Sequence, residues 1–183
     1  MIGLGNPGDG YSGTRHNVGF ATLDKFAAVN GFPEWINKKD LRCAMSIQQL
    51  SDTRVVLCKP STFMNLSGEA AHSVQNFYKV YNPQTLVVYD ELAIPFGSLR
   101  TRVEGSDAGH NGVKSLIQHL GDDFGRLRIG IGSDKSKNSA EFVLKPFAKA
   151  EKSNLDLVIK EACSLITEFL ADGTLPHDTR KVL

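Results

Sequence analysis

The sequence predicts an α/β domain, in which helices pack against a β-sheet. Short apolar runs alternate along the chain with segments whose apolar residues recur at the helical interval of three or four. One of these runs, TLVVY at 85–89, is continuously apolar, as is typical of a central strand buried on both faces. A second run, RLRIGIG at 126–132, alternates apolar and polar residues, which is the pattern of a strand with one buried face.

The first half of the chain predicts a strand, a helix, a hairpin and a second helix. Residues 1–4 form a short apolar strand that enters a glycine loop. A helix begins near Val18 and ends near Gly31, where a glycine can adopt the conformation that follows a helix. The runs 42–50 and 53–59 are separated by two turn residues, so they predict a hairpin. Helical spacing resumes from Leu66 and stops at Asn82-Pro83.

The second half adds strands and two further helices to the strand at 85–89. Residues 98–103 predict a strand, and the apolar spacing of 113–120 predicts a short helix. The strand at 126–132 follows. A long amphipathic helix covers 155–169, and the last ten residues are expected to be loose.

Composition and charge exclude several classes of protein. The formal net charge of +1 does not fit a strongly basic DNA-coating protein. Cys43, Cys58 and Cys163 are odd in number and widely spaced, which argues against a disulfide framework and a zinc site and fits a reducing cytoplasm. No apolar run approaches the ~20 residues of a membrane span. Without a linker-like segment, residues 1–183 are expected to form one cytoplasmic domain.

The opening GLGNPG has the spelling of a dinucleotide-binding loop but lacks its context. That fingerprint needs a helix that starts at the last glycine and an acid about 20 residues later at a strand end. Here Pro7 and residues 9–13 delay the helix, and the nearest acid, Asp24, lies inside it. The glycines allow a tight turn that directs Asn6 towards a cleft. Taken alone, Asn6 fits a functional loop and a plain glycine loop equally.

His16 and Asp90 are candidates for a catalytic pair. His16 lies in a loop before a helix, and Asp90 directly follows the strand at 85–89, so it should emerge where ligand crevices form in open α/β sheets. A carboxylate behind a histidine fixes its tautomer and makes it a base for water. Taken singly, each residue has a common structural explanation, as a helix-capping histidine and a turn-forming aspartate.

Other chemistries receive less support. The chain has no G-x-S-x-G, so a serine nucleophile is not indicated. The histidines at 72, 119 and 177 are scattered and do not predict a metal site. Hydrolysis by an activated water, with asparagine amides as stabilising groups, is the simplest remaining chemistry.

Arginines pair on two predicted strands in a region with an excess of basic residues. Arg100 and Arg102 lie on one strand face, and Arg126 and Arg128 share the polar face of another. Such a strip could contact phosphates, whereas a solvated sheet edge is the structural alternative. Two loop residues, Lys135 and Lys137, are weaker candidates for the same contact.

The polar clusters together resemble the bacterial-type peptidyl-tRNA hydrolases. The likeness runs in order to about residue 147 and is carried by GLGNPG, YSGTRHNVGF, KPSTFMNLSGEA, DELAIPFGSLRTR, GSDAGHNGVKSL and RLRIGIG...FVLKPF. It implies a monomeric α/β domain with a twisted mixed β-sheet flanked by helices. It also implies hydrolysis of the ester between a nascent peptide and tRNA, which releases tRNA for reuse and requires no metal or cofactor.

The resemblance implies a role for each matching polar residue. His16 resembles the catalytic base and Asp90 its orienting carboxylate. Asn6 and Asn65 resemble the amides that hold the peptide end and stabilise developing charge, and Asn111 resembles the amide that positions the attacking water.

The resemblance also implies residues that contact the substrate. His110 stands at the gate of the cleft, and Tyr11 and Met64 resemble residues of its wall that pack against the substrate. At three further positions the family has basic residues that contact tRNA phosphates. This chain has Arg100, Arg102 and Arg128 at those positions.

The chain departs from the family pattern at three points. Its first strand is unusually short, and Ala93 stands where a second acid is common after DEL. Asp107 and Ala108 replace part of a more glycine-rich run, so the loop before His110 is expected to be stiffer.

Two other functions are compatible with this architecture. A non-catalytic RNA-binding relative would have no use for His16, Asp90 and three amides together. A nucleoside phosphorylase would need a basic partner near GLGNPG to hold phosphate, and the neighbouring sequence has none.

Overall fold

The computed structural model describes residues 1–132 and 138–183. Its strands are β1 (Ile2–Gly3), β2 (Ile36–Lys38), β3 (Cys43–Leu50), β4 (Thr53–Pro60), β5 (Leu86–Glu91), β6 (Ser98–Val103), β7 (Gly125–Gly130) and β8 (Thr179–Lys181). Its helices are α1 (Val18–Val29), α2 (Ser67–Tyr78), α3 (Asn111–Leu120), α4 (Ser139–Val143) and α5 (Lys149–Asp172).

The described strands form one mixed sheet in the order β2-β3-β4-β1-β5-β7-β6-β8. The centre is parallel, with β1 between β4 and β5 and with β7 on the far side of β5. Antiparallel pairs flank this centre, including the predicted β3–β4 hairpin. Because the parallel strands end at the same edge, the loops after β1, β4 and β5 lie close together there.

Helices cover both faces of the sheet, so the predicted fold class is confirmed. Alternate residues of β5 point to opposite faces: Val88 joins a core with α1 and α5, and Val87 joins a core with α2 and α3. Within the described residues, none of these helices combines the length and the apolar character needed to cross a bilayer.

A close approach of α1 to the sheet fixes where its first turn lies. A Cβ at Gly19 would be 2.3 Å from the carbonyl oxygen of Val88 and 2.6 Å from the backbone nitrogen of Leu4. Only glycine allows this distance, because any side chain would collide with backbone atoms of β5 and of the residue after β1. The turn that precedes α1, which contains His16, therefore lies at the carboxyl end of the central strands.

The expectation that the last ten residues are loose is wrong. They contain β8, which pairs with β6, and the Val182 N–H donates to the carbonyl oxygen of Gly97 at 2.8 Å. Arg180 donates to the carboxylates of Glu161 and Glu168 on α5. A three-residue strand made of Thr, Arg and Lys carries no apolar alternation, so only its tertiary partners reveal it.

Other boundaries shift by a few residues. The strand β7 begins at Gly125 and ends at Gly130, rather than covering 126–132. The short elements β2 and α4 were not predicted, because three and five residues are too few to establish a period.

Candidate active site

The candidate site lies at the carboxyl edge of the parallel strands. His16 occupies a single helical turn, Arg15–Asn17, that leads into α1. Asp90 is 2% exposed and lies inside β5, not after it as predicted. The strand continues because Asp90 and Glu91 stay in register with Ile129 and Gly130 of β7. Asp90 nevertheless reaches the expected crevice.

The structure brings His16 and Asp90, the candidate pair, into contact. The Nδ1 atom of His16 is 2.9 Å from Oδ1 and 3.0 Å from Oδ2 of Asp90. An ionised carboxylate only accepts hydrogen bonds, so Nδ1 carries the proton and donates it to Asp90. The Nε2 lone pair of His16 is then free to accept a proton. The His16 side chain lines a cavity of about 210 Å³.

His110 contacts the same carboxylate from the other side. Its Nε2 is 3.0 Å from Oδ1 of Asp90, and its ring centroid is 4.9 Å from that of His16. Its Nδ1 accepts the N–H groups of Gly112 and Val113 at 3.1 and 3.3 Å, which caps the start of α3. Because Nδ1 is an acceptor, the proton of the neutral ring lies on Nε2 and points at Asp90.

Asp90 is ionised in this environment. Burial raises the pKa of its carboxyl, but the electrostatic and hydrogen-bond interactions with His110, together with those with His16, lower it by more. The net result is a pKa well below the usual range of aspartate. Asp90 can therefore act as a fixed anion between two imidazoles.

The same three side chains have the composition of a metal-ligand set. Donor atoms of His16, Asp90 and His110 lie within 4.8 Å of one another. A metal at Nε2 of His110 would move the proton to Nδ1, where it would face the N–H groups of Gly112 and Val113. The helix cap therefore favours hydrogen bonds over metal ligation in this cluster.

Neighbours of His16 hold its turn from two sides. The Arg15 guanidinium donates to the carbonyl oxygen of Pro146 at 2.7 Å and to the carboxylate of Glu151 at 2.6 Å. The Asn17 amide donates to the carbonyl oxygen of Asn6 at 2.9 Å, and its oxygen accepts the Asn6 N–H at 2.9 Å. This pairing was not predicted from the sequence, although Asn17 directly follows His16 in TRHN.

Asn6 is buried and connects the first loop to the loop after β4. Its Oδ1 accepts the backbone N–H of Met64 at 2.9 Å. This bond occupies the oxygen of the Asn6 carboxamide, so its amide nitrogen is the group left to donate to a ligand. The functional interpretation of Asn6 therefore gains a physical basis that the sequence alone did not provide.

The other predicted amides are exposed and lie at the starts of two different helices. Asn111 is the first residue of α3 and lines the His16 cavity. Asn65 follows Met64 in the turn before α2. Among the described residues that line this cavity, neither Asn6 nor Asn65 appears, so the structure groups Asn111 with His16 and places the other two amides beyond it.

Of the two predicted wall residues, only Tyr11 is near the surface. Met64 is 5% exposed, and its sulfur lies 2.5 Å from where a Cβ on Gly112 would be, so it packs beneath the start of α3. Tyr11 is half-buried and meets the ring of Phe63 edge-on at 6.4 Å. Phe63, which is 56% exposed, was missed, although it directly precedes Met64 in the quoted motif.

The predicted arginines lie on neighbouring strands β6 and β7. Arg100 is directly opposite Arg128, and Arg102 is directly opposite Arg126. Three of them are half-buried and form what we call the arginine row: Arg100, Arg102 and Arg128. The pairing of Arg126 with Arg128 as a phosphate contact is wrong, because Arg126 is 2% exposed. Lys135 and Lys137 lie outside the described residues.

Comparisons with known proteins agree with this site and fold. The sequence model of the family described as Peptidyl-tRNA hydrolase matches residues 1–182. Peptidyl-tRNA hydrolase of Exiguobacterium sibiricum is 42% identical over 172 residues, which cover 93% of this chain and 92% of the relative. The enzyme of Frankia alni is 40% identical over 182 residues, which cover 98% and 91%.

A solved structure extends the likeness to three dimensions. The crystal structure of peptidyl-tRNA hydrolase in complex with N-propanol has a TM-score of 0.88 and 34% identity, over 94% of this chain and 87% of that one. The resemblance found in the sequence motifs is therefore confirmed across nearly the whole chain. By sequence and by fold, this chain belongs to the peptidyl-tRNA hydrolase family, a family of hydrolases.

Proposed function

We propose that this chain hydrolyses the ester between a peptide and tRNA in peptidyl-tRNA, with His16 as the general base. The substrate class comes from the names of its relatives. The observation that supports the mechanism is the His16–Asp90 pair, which leaves Nε2 of His16 free beside a cavity. We also retain as predictions that the protein acts as a cytoplasmic monomer without a metal.

The proposed reaction has two steps. Nε2 of His16 takes a proton from a water molecule, whose oxygen attacks the ester carbonyl carbon and forms a tetrahedral oxyanion. The carbon–oxygen bond to the tRNA ribose then breaks, and the leaving oxygen takes the proton back from His16. The products are a peptide carboxylate and tRNA with a free hydroxyl. An ester has a better leaving group than an amide, so one base suffices.

Each polar group around His16 has a part in this proposal. Asp90 keeps the proton on Nδ1 and stabilises the imidazolium that forms. Asn111 holds the attacking water in this proposal, which is supported by its position in the lining of the same cavity. Asn6 and Asn65 donate to carbonyl oxygens of the substrate, and Tyr11 contacts its peptide.

The geometry favours His16 over His110 as the base. The Nδ1 atom of His110 accepts two backbone N–H groups, and its Nε2 donates to Asp90. Both ring nitrogens are thus engaged, and protonation would break the cap of α3. His16 has one nitrogen free.

The substrate proposal is tested by comparing N-acetyl-aminoacyl-tRNA with aminoacyl-tRNA. We expect cleavage of the first and little of the second. A free α-ammonium would find both carboxylates of the cavity engaged, Asp90 by two imidazoles and Glu91 by Arg128 and the Ala93 N–H. Release of labelled amino acid or N-acetyl amino acid is measured at matched concentrations. Equal turnover of both substrates would reject the proposed specificity.

We further propose that the arginine row contacts tRNA phosphates. Replacing Arg100 and Arg102 together by alanine should raise KM with little change in kcat, because these side chains attract the tRNA and do not reach the ester. The slope of log(kcat/KM) against log[salt] should fall in magnitude by about 1 for each phosphate that the variant no longer binds. Kinetics at several salt concentrations measure both quantities.

Arg54→Ala is the matched control for charge. Arg54 is exposed near the start of β4, and because β4 runs parallel to β1, it lies at the sheet edge opposite His16. Its removal should leave the salt slope unchanged. The double variant loses two charges and Arg54→Ala loses one, so an equal change of slope per charge removed would assign the effect to net charge and not to the arginine row.

A further inference from the structure

Arg126 is a buried cation that the proposed mechanism does not use. It lies on β7, is 2% exposed, and its guanidinium is 4.7 Å from the ring centroid of Phe124. Within residues 1–132 and 138–183, no carboxylate forms an ion pair with it at 4.0 Å or less. Burying a charge without a counterion costs free energy unless hydrogen bonds compensate for it. The hydrogen bonds of the Arg126 guanidinium therefore indicate what this residue does.

The guanidinium binds backbone carbonyls on both sides of α3. It donates to Gly105 at 2.5 Å and to Ser106 at 2.7 Å, in the loop before the helix. It also donates to Asp122 at 3.2 Å, in the loop after the helix. A single side chain therefore ties together the two loops that flank the helix beginning at Asn111.

The loop before α3 needs such support because its backbone is strained. Glu104 and Ala108 have φ of 65° and 49°, the left-handed region that disfavours residues with a Cβ. Inside the loop, Asp107 accepts the N–H groups of Gly109 at 2.7 Å and His110 at 2.9 Å. Strained backbone of this kind persists only where surrounding contacts fix it. Arg126 fixes the start of the loop, and the His110–Asp90 bond fixes its end.

Tyr89 provides a second connection between Arg126 and the site. The Tyr89 ring meets the His110 ring edge-on at 5.1 Å. Burial raises the pKa of Tyr89 to about 12, and the charges of Arg126 and Arg128 oppose this rise. The register of the sheet sets Tyr89 opposite Arg128, two residues from Arg126, so Arg126 lies on the strand beside the ring that packs against His110.

We propose that Arg126 is a positioning residue for the hydrolysis proposed above. By holding Gly105 and Ser106 in the loop before α3 and Asp122 in the loop after it, Arg126 positions Asn111 to hold the attacking water and His110 to bind Asp90. It does not contact tRNA, because its exposed surface is negligible and its Nη1 and Nη2 groups donate to backbone carbonyls. This inference rests on the proposed roles of Asn111 and Asp90.

The test compares Arg126→Met with the wild type on N-acetyl-aminoacyl-tRNA. Methionine is apolar and unbranched, but it cannot donate to the three carbonyls. We expect kcat to fall by about 10²-fold, the loss that a misplacement of about 1 Å can cause, with KM changed much less. Arg102→Ala should show the opposite split, a raised KM with kcat retained. Wild-type kcat in folded Arg126→Met, or a change confined to KM, would overturn the proposal.

A rescue experiment separates positioning from general loss of stability. Glycine at 104 and 108 adopts left-handed backbone without strain. In Arg126→Met, the added substitutions Glu104→Gly and Ala108→Gly should restore part of kcat, without restoring Tm to the wild-type value. Recovery of kcat only in proportion to Tm, or no recovery, would reject the proposed role.

Two controls keep the result interpretable. If circular dichroism shows that Arg126→Met does not fold, Arg126→Lys is tested instead. Lysine keeps the positive charge but lacks the planar guanidinium that reaches three carbonyls. A wild-type kcat for Arg126→Lys would contradict the proposal. The wild type is assayed first, and if it does not cleave the ester, the proposed function is wrong. If the wild type is active and Arg126→Met has the same kcat, only the positioning role of Arg126 is refuted.

Discussion

Replacing His16 by alanine is expected to lower kcat/KM for peptidyl-tRNA by about 10²–10⁴, the usual contribution of a general base. The imidazole is the group whose free nitrogen lies beside the cavity, because its other nitrogen donates to Asp90. The alanine side chain leaves the water without a proton acceptor. Single-turnover hydrolysis of N-acetyl-aminoacyl-tRNA measures the loss directly, since it separates chemistry from product release.

His72→Ala is the matched control for this experiment. His72 is exposed on α2 and hydrogen-bonds only with Asn76 among the described residues, so its loss should leave the rate unchanged. Gel-filtration and circular dichroism profiles of His16→Ala should match those of the wild type. If folded His16→Ala cleaved its substrate at the wild-type rate, the mechanism proposed for this site would be wrong.

Replacing Asp90 by asparagine is expected to cause a loss of similar size, about 10²–10⁴ in kcat. The carboxylate accepts hydrogen bonds from both His16 and His110. Asparagine keeps one acceptor oxygen and replaces the other with an NH₂ donor. With the oxygen at the Oδ1 position, which faces both histidines, the NH₂ at the Oδ2 position would lie about 3.0 Å from Nδ1 of His16. This donor would disfavour a proton on Nδ1, and the neutral amide would no longer stabilise the imidazolium, so the base is weakened.

The same substitution has a readout in stability. The folded-state pKa of Asp90 is lower than its unfolded value, so the unfolded chain binds a proton more readily. The ionised carboxylate therefore stabilises the fold fully above the unfolded pKa of about 4, and this contribution is lost as the pH falls towards the folded value.

Urea unfolding from pH 7 down to pH 3 measures this effect. Wild type should be more stable than Asp90→Asn at neutral pH, and the difference should narrow as the pH falls below about 4. A difference that stayed constant over this range would show that Asp90 does not hold the ionised state described above. The kinetic test is independent of this one, because it is made at neutral pH.

Much of the central fold follows from local patterns. The apolar run at 85–89 predicted β5, and the spacing of apolar residues predicted α1, α2 and α3. These elements carry a period of two or of three to four over enough residues to be recognised. The strands β2 and β8 are three residues long, too short to show a period, and β8 also depends on a partner, β6, that lies far away in the chain.

For some residues of the candidate site the sequence indicated a role, and for others it did not indicate whether the side chain is buried. His16 and Asp90 were candidates because of their positions near the boundaries of predicted elements, but local spacing left their pairing open, and the amides were singled out only by the resemblance of their motifs. The burial of Met64 and Arg126 could not be predicted, because each depends on residues distant in sequence, Gly112 for Met64 and Gly105 for Arg126. An arginine on a strand has the same local signature whether its guanidinium faces solvent or backbone carbonyls.

The amino-acid sequence by itself determined the fold class, the family and the chemical groups available for hydrolysis, since these depend on side-chain types and their order. The tertiary structure decided how those groups act. It placed two imidazoles on one buried carboxylate, which leaves a lone pair on His16 and none on His110. It also separated Arg126 from the arginine row. Both outcomes depend on distances between chain segments, which local spacing does not encode.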